Sequence, residues 1–170
     1  MSHFPKLSLE SYLTIPHGGW NDKIRIGRKI LTRLRCGSND LRIDTGRWDG
    51  LTVDERLCVL CGSVEVETEQ HFLLECDHYK DDRIQLWKSL EQLINHGNNI
   101  DVGDGRMISS FSMNSLSSHQ QLILMMGGYH PSITDMKLQH RVMSKILIAI
   151  SVWYHQREVF MIIYKDALKA

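Results

Sequence analysis

The 170-residue sequence has no surplus charge of either sign, with 20 Lys and Arg against 20 Asp and Glu. A protein that held nucleic acid over its whole surface would be basic throughout, so that class is excluded in its simple form. Cysteine is scarce, and three of the four cysteines fall together with a histidine. That clustering argues against a disulfide framework and for a metal in a reducing compartment, so the expected location is nuclear or cytoplasmic. No opening apolar segment suggests a signal peptide. No apolar run reaches membrane-spanning length either, the longest, Ile146 to Tyr154, being bounded by Lys145 and His155. No membrane role is expected. Apolar residues at 42% and charged residues at 24% are ordinary, and suit one domain or one domain with an appended helical part.

The zero net charge hides a segregation. Residues 1–48 carry nine Lys and Arg against four Asp and Glu, a net +5. Residues 49–104 carry four against thirteen, a net −9, and residues 105–170 carry seven against three, a net +4. The acidic middle segment is unsuited to phosphate, so any phosphate contact has to come from its basic neighbours.

That middle segment contains Cys58, Cys61, His71 and Cys76 in a C-x2-C-x9-H-x4-C array. Three thiolates and one imidazole form a standard tetrahedral ligand set for structural zinc. The C-x2-C pair lets one tight turn aim two sulfurs at a point, and Gly62 permits the positive φ such a turn often needs. Thr68 is placed to cap a helix with His71 on its first turn. In a regular α-helix a step of five residues ends roughly 140° from where it began. Cys76 can therefore share a metal with His71 only if the helix unwinds or ends near Glu75. His78, seven residues after His71 and on about the same helical face, is a rival fourth ligand, and the remote Cys36 a weaker one. Ordinary reduced, partly buried cysteines are the bland alternative.

Around this array the pattern is helical, and the expected fold is mainly α. It comprises a small zinc knuckle with a short hairpin, packed with several helices that include a long C-terminal one. Residues 1–20 read as an irregular lead with one short element near Leu7 to Leu13. A lead of this kind suits a piece cut from a longer polyprotein as well as a free-standing protein. The module proper spans 21–96. Its first helix runs from Asn21 or Asp22 to about Gly37, with Ile24, Ile26, Ile30, Leu31 and Leu34 on one side. Arg25, Arg28, Lys29, Arg33 and Arg35 lie on the other. Such a face suits phosphate oxygens, or else pairs with the acidic zinc segment. Leu41 to Asp44 alternates like a short strand, and Trp48 reads as a packing residue rather than a base-stacking platform. Thr52 to Leu57 forms a turn of helix, and Val64 to Glu67 the second arm of the hairpin.

A second helix covers about Asp77 to His96, with Tyr79, Ile84, Leu86, Trp87, Leu90 and Ile94 on its apolar face. Tyr79-Lys80-Asp81-Asp82 formally matches the Y-x-D-D string of polymerase active sites. An Asp pair opening a charged helix, with no companion carboxylate cluster, complements the helix dipole instead. Residues 97–118 form a loop with a short element near Met107 to Phe111, and 119–170 a C-terminal helical part. That part holds a short helix, Gln120 to Met126, capped by Ser117 or Ser118, and a long one from Ser132 or Thr134 to about Lys169. The long helix, apolar nearly all round from Ile146 to Trp153 and continued by Val159, Phe160, Ile162 and Ile163, serves as a spine or pairs with a partner. Its spacing is not a clean heptad, which disfavours a coiled coil.

The runs LTRLRCGSNDLRIDTGRW, DERLCVLCG and ETEQHFLLECDHYKDDR resemble the zinc-binding region that follows the polymerase in many LINE-type (non-LTR) retrotransposon reverse transcriptases. The resemblance covers about Ile24 to Trp87, anchored by the four ligands, the run Leu34 to Gly37, Gly46-Arg47-Trp48 and the H-F-L-L-E-C-x-x-Y string. It implies a small accessory region, stabilised by zinc and associated with nucleic acid, with no catalytic residue. The expected function is accordingly non-catalytic binding of the RNA or DNA backbone through Arg25, Arg28, Lys29, Arg33 and Arg35. A zinc-stabilised helical interaction module, pairing or dimerising through its C-terminal helix, is the alternative. An enzyme is the class least expected, because four protein ligands leave a zinc no open position.

Overall fold

A computed structural model describes residues 22–98, 110–128, 130, 131, 133 and 135–167. The elements expected near Leu7 to Leu13 and Met107 lie outside these residues. The fold is mainly helical. Helix α1 is Asp22–Arg35, the short α2 is Arg42–Thr45, α3 is Lys80–Asn98, α4 is Ser118–Met125 and α5 is Met136–Ala167. Single turns of 3-10 helix occupy Val53–Glu55, Asp77–Tyr79 and Met113–Ser115.

Helix α5 is the spine, and α1 and α3 pack along it. Leu138, Val142, Ile146, Leu147, Ile150, Trp153 and Tyr154 are its buried residues toward them. From α1 come Ile30, Leu31 and Leu34, and from α3 Leu86, Leu90, Leu93 and Ile94. Gly27 lies where α1 crosses α5, and a Cβ there would overlap the carbonyl group of Leu147. The glycine that weakens α1 as an isolated helix is thus what lets the two backbones meet. By length and composition α5 is also apolar enough to cross a membrane. A core helix passes the same test, and one face of this helix is buried against α1 and α3 between Leu138 and Arg157.

Several sequence expectations need correction. Among the described residues there is no β-strand. The hairpin reduces to one isolated antiparallel bridge, Leu57 to Val66. The segment read as a strand, Leu41 to Asp44, is instead the start of α2. Side chains won that competition: the Asn39 carbonyl accepts from the Leu41 amide at 2.9 Å, and the Glu67 carboxylate accepts from the Arg42 amide at 2.7 Å. Ile26 and Ile84, expected on buried faces, are 44% and 38% exposed, and Arg83, outside the apolar stripe of α3, is buried. Val159, Ile162 and Ile163 are exposed as well, because α5 outruns the helices that cover it. Capping followed the sequence: Ser117 Oγ accepts from the Gln120 amide, whose side chain accepts in return from the Ser117 amide.

Candidate metal centre

Two short backbone devices bring the four ligand residues together. The first is the bridge beside Cys58, in which the Cys58 amide donates to Glu65 O at 2.9 Å and the Glu67 amide to Arg56 O at 3.0 Å. It closes a loop that turns through Gly62 at φ +66°, the conformation expected of that glycine. Inside the loop the amides of Leu60 and Cys61 point back at the Cys58 sulfur. A turn of this form aims both sulfurs inward.

The second device answers the five-residue problem. Thr68 Oγ1 accepts from the His71 amide at 3.0 Å, which opens a helix there as its cap position predicted. The chain then widens into one π-turn, His71–Glu75, closed by the Cys76 amide donating to His71 O at 2.7 Å. An i to i+5 bond brings residues 71 and 76 to the same side, where a regular α-helix would part them. Cys76 leaves the helix at φ −55°, ψ 119°, so the helix both distorts and ends where the ligand set requires.

The resulting donor atoms of Cys58, Cys61, His71 and Cys76 all lie within 4.8 Å of one another. Cys58 Sγ is 3.9 Å from Cys76 Sγ, and Cys61 Sγ is 3.4 Å from His71 Nε2. A tetrahedral zinc with sulfurs at about 2.3 Å sets those sulfurs about 3.8 Å apart. The spacing fits. The four residues are close enough to hold a metal ion, and neither rival joins them. His78 is exposed, its ring set edge-on against Tyr79, and Cys36 is an exposed free thiol.

Sequence reasoning missed the surroundings of this cluster. Glu65 Oε2 lies 2.9 Å from His71 Nδ1, so the imidazole presents Nε2 to the sulfurs while a carboxylate holds its other nitrogen. That is the usual support of a metal-bound histidine. Buried Arg83 donates to Cys76 O at 3.1 Å, fixing the carbonyl of the fourth ligand. A hydrogen bond from Cys76 holds the Cys58 thiol down at about 3, while burial works against it. The shared hydrogen and burial together push Cys76 up. Burial opposes protonation of His71, but hydrogen bonds to Cys58 and Cys61 outweigh it and raise the imidazole to about 9. Without a metal, the Cys58 thiolate is thus shared between the Cys76 thiol and the His71 imidazolium, as expected of donor groups packed within hydrogen-bonding distance.

Two contacts join the knuckle to the spine. Glu67, 1% exposed, takes a two-pronged ion pair from Arg157 of α5, at 2.7 and 2.8 Å. Tyr79 stacks on Trp153 with centroids 5.6 Å apart and donates its hydroxyl to Trp153 O, while Phe72 meets the edges of Tyr79 and Tyr154. The tyrosine of the Y-x-D-D string is therefore core, and Asp81 and Asp82 are exposed in the first turn of α3. Nothing in the sequence set Arg157 apart from the other charged residues of α5, such as Arg141 and Lys145.

The cations expected on α1 separate into different situations. Arg25 and Lys29 are exposed, and Arg28 and Arg35 half-buried. Arg33 is tied to Asp40 at 2.8 Å and donates to Ser38 O. A groove of about 710 Å³ runs between α1 and α5, with Lys23, Arg25 and Lys29 on one wall and His155 and Glu158 on the other. Arg25 and Arg33 find their acidic partners in Asp22 and Asp40 rather than in the zinc segment, whose buried carboxylate Glu67 pairs with α5. Trp48, expected to pack, is 71% exposed. Comparison with known proteins adds no relative, since no family model, no curated protein and no solved structure matches the chain.

Proposed function

We propose that this protein is a non-catalytic nucleic-acid-binding module stabilised by one structural zinc ion, of the kind carried by LINE-type retrotransposon reverse transcriptases. Zinc is the metal best suited to three thiolates and an imidazole in a tetrahedral array. Cys58, Cys61, His71 and Cys76 would hold it, and its binding supplies folding free energy to a knuckle too small to bury a core of its own. With four protein ligands the ion has no place for substrate, so its role is structural.

The observation that carries the nucleic-acid reading is the outer face of α1. Arg25 and Lys29 stand exposed along a groove whose floor is the α1–α5 contact, so cations are mounted on a rigid helix. Such a face neutralises phosphates and releases their counterions. The test is titration of the zinc-loaded protein with short RNA and DNA oligonucleotides at about 50 and about 200 mM salt. Binding that weakens steeply with salt is expected. Arg25→Ala and Lys29→Ala should each reduce the salt slope by about one. Absence of binding at the lower salt overturns the reading.

A second reading has its own observation. Val159, Ile162 and Ile163 expose apolar surface on the last turns of α5, which favours docking of a partner or a second copy there. Sedimentation that shows a concentration-dependent dimer, lost in Ile162→Lys and indifferent to nucleic acid, would favour it over the first.

A further inference from the structure

We propose that Trp48 is a stacking platform for a single-stranded nucleic acid whose backbone follows the cations of the α1–α5 groove. The inference rests on the nucleic-acid reading above and specifies the form of the partner.

Trp48 is one of four tryptophans in the chain, and its 71% exposure contrasts with the 2% of Trp153. An indole left in water on a soft loop would mean little. This one sits on a stiff turn: the Trp48 amide donates to Thr45 O, the Leu51 amide to Gly46 O, and Arg56 clamps the inner side by donating to Ile43 O and Leu51 O. The Arg47 guanidinium lies 5.6 Å from the centroid of the ring. A rigid exposed aromatic beside a guanidinium is the pair of surfaces on which single-strand binders stack a base and hold its phosphate.

The position of the ring links it to the basic groove. A second groove of about 620 Å³ is lined by Arg42, Trp48, Ile162 and Lys165, and it shares His155 and Glu158 with the first. The two grooves therefore adjoin at His155 and Glu158, which places Lys23, Arg25 and Lys29 on one side of that ridge of α5 and Trp48 on the other. Three carboxylates border them. Asp40 is engaged by Arg33 and by the Tyr154 hydroxyl, Glu158 lies 4.0 Å from His155 Nδ1, and Asp49 adjoins Trp48. The wall formed by α1 contributes Lys23, Arg25 and Lys29, with Arg25 in a loose, exposed pair with Asp22 at 3.5 Å. Only an unstacked base offers a face to an indole, so a single strand uses both grooves and a duplex uses the cations alone.

The experiment uses the full zinc-loaded chain labelled with 5-fluorotryptophan, with the Trp48 resonance assigned from Trp48→Phe. Oligothymidylate and oligouridylate should move that resonance, and a closed DNA hairpin should leave it in place. Trp48→Ala should weaken oligothymidylate binding on the order of ten-fold with an unchanged salt slope, because stacking releases no counterions. Arg25→Ala should lower the slope. If Trp48→Ala binds as tightly as the natural sequence while Arg25→Ala does not, the stacking proposal falls and the nucleic-acid reading stands. A hairpin bound more tightly than the single strand also overturns it. If neither strand form binds at low salt, both readings fall.

Discussion

The knuckle and the α1–α5 pair are held together by opposite means. Residues 58–76 owe their shape to short-range polar devices: a one-bond-pair bridge, a glycine turn, a threonine cap and a π-turn, all converging on four donor atoms. The helix pair owes its shape to apolar side chains and to one glycine that lets backbones touch. A region of the first kind is specified by a few atoms and fails when one is lost. One of the second kind is specified by many small contacts and fails by degrees. The difference teaches where a metal would matter most. The knuckle buries Phe72, Leu73 and Leu74 against the helices, but the loop around Cys58 and Cys61 has only polar devices to hold it. Coordination there would supply what burial does not.

The largest effect should come from breaking the first kind. A structural zinc would contribute about 10–16 kcal/mol, as much as the whole stability of a small domain. Chelation, or Cys76→Ser, should therefore abolish protection of amides in 58–79 measured by hydrogen exchange. Leu31 and Ile150 in the helix pair should retain more protection than the knuckle does. Simultaneous loss in both regions would show that the two are one cooperative unit.

The next test severs the link between them. Arg157→Met leaves the Glu67 carboxylate buried without its main partner, and chemical denaturation should show a loss of about 3–5 kcal/mol. Adding Glu67→Leu should restore part of it. Recovery should stay incomplete, because the Glu67 carboxylate also accepts from the Arg42 amide, which the double variant leaves unanswered.

The smallest effect is at the helix crossing. Alanine favours an isolated helix over glycine by about 1 kcal/mol. Gly27→Ala should nonetheless lower stability, by about 1–3 kcal/mol, because the new methyl meets the Leu147 backbone rather than a yielding side chain. A stabilised variant would mean that α1 and α5 do not cross this closely.

Much of this was legible beforehand. The helices α1, α3 and α5 announce themselves by apolar periodicity, and the ligand set by spacing. Even the break between His71 and Cys76 follows from counting degrees around a helix. What escaped was whatever depended on a neighbour remote in the chain. Four alternating residues at 41–44 could not reveal that Asn39 and Glu67 would seize their amides and turn a strand into a helix. The stripes containing Ile26 and Ile84 were real, but which residue at the stripe's edge gets covered depends on the angle of the opposing helix.

The sequence alone determined the composition of the candidate metal site and the existence of the helices, because the cysteine–histidine spacing and helix formation are local: they depend on residues close to one another in the chain. Only the tertiary structure decided that Arg157 is the counter-ion of Glu67, ninety residues away. The same holds for the exposure of Trp48 and of the last turns of α5. Periodicity declares that an apolar face exists, and packing geometry alone decides what covers it.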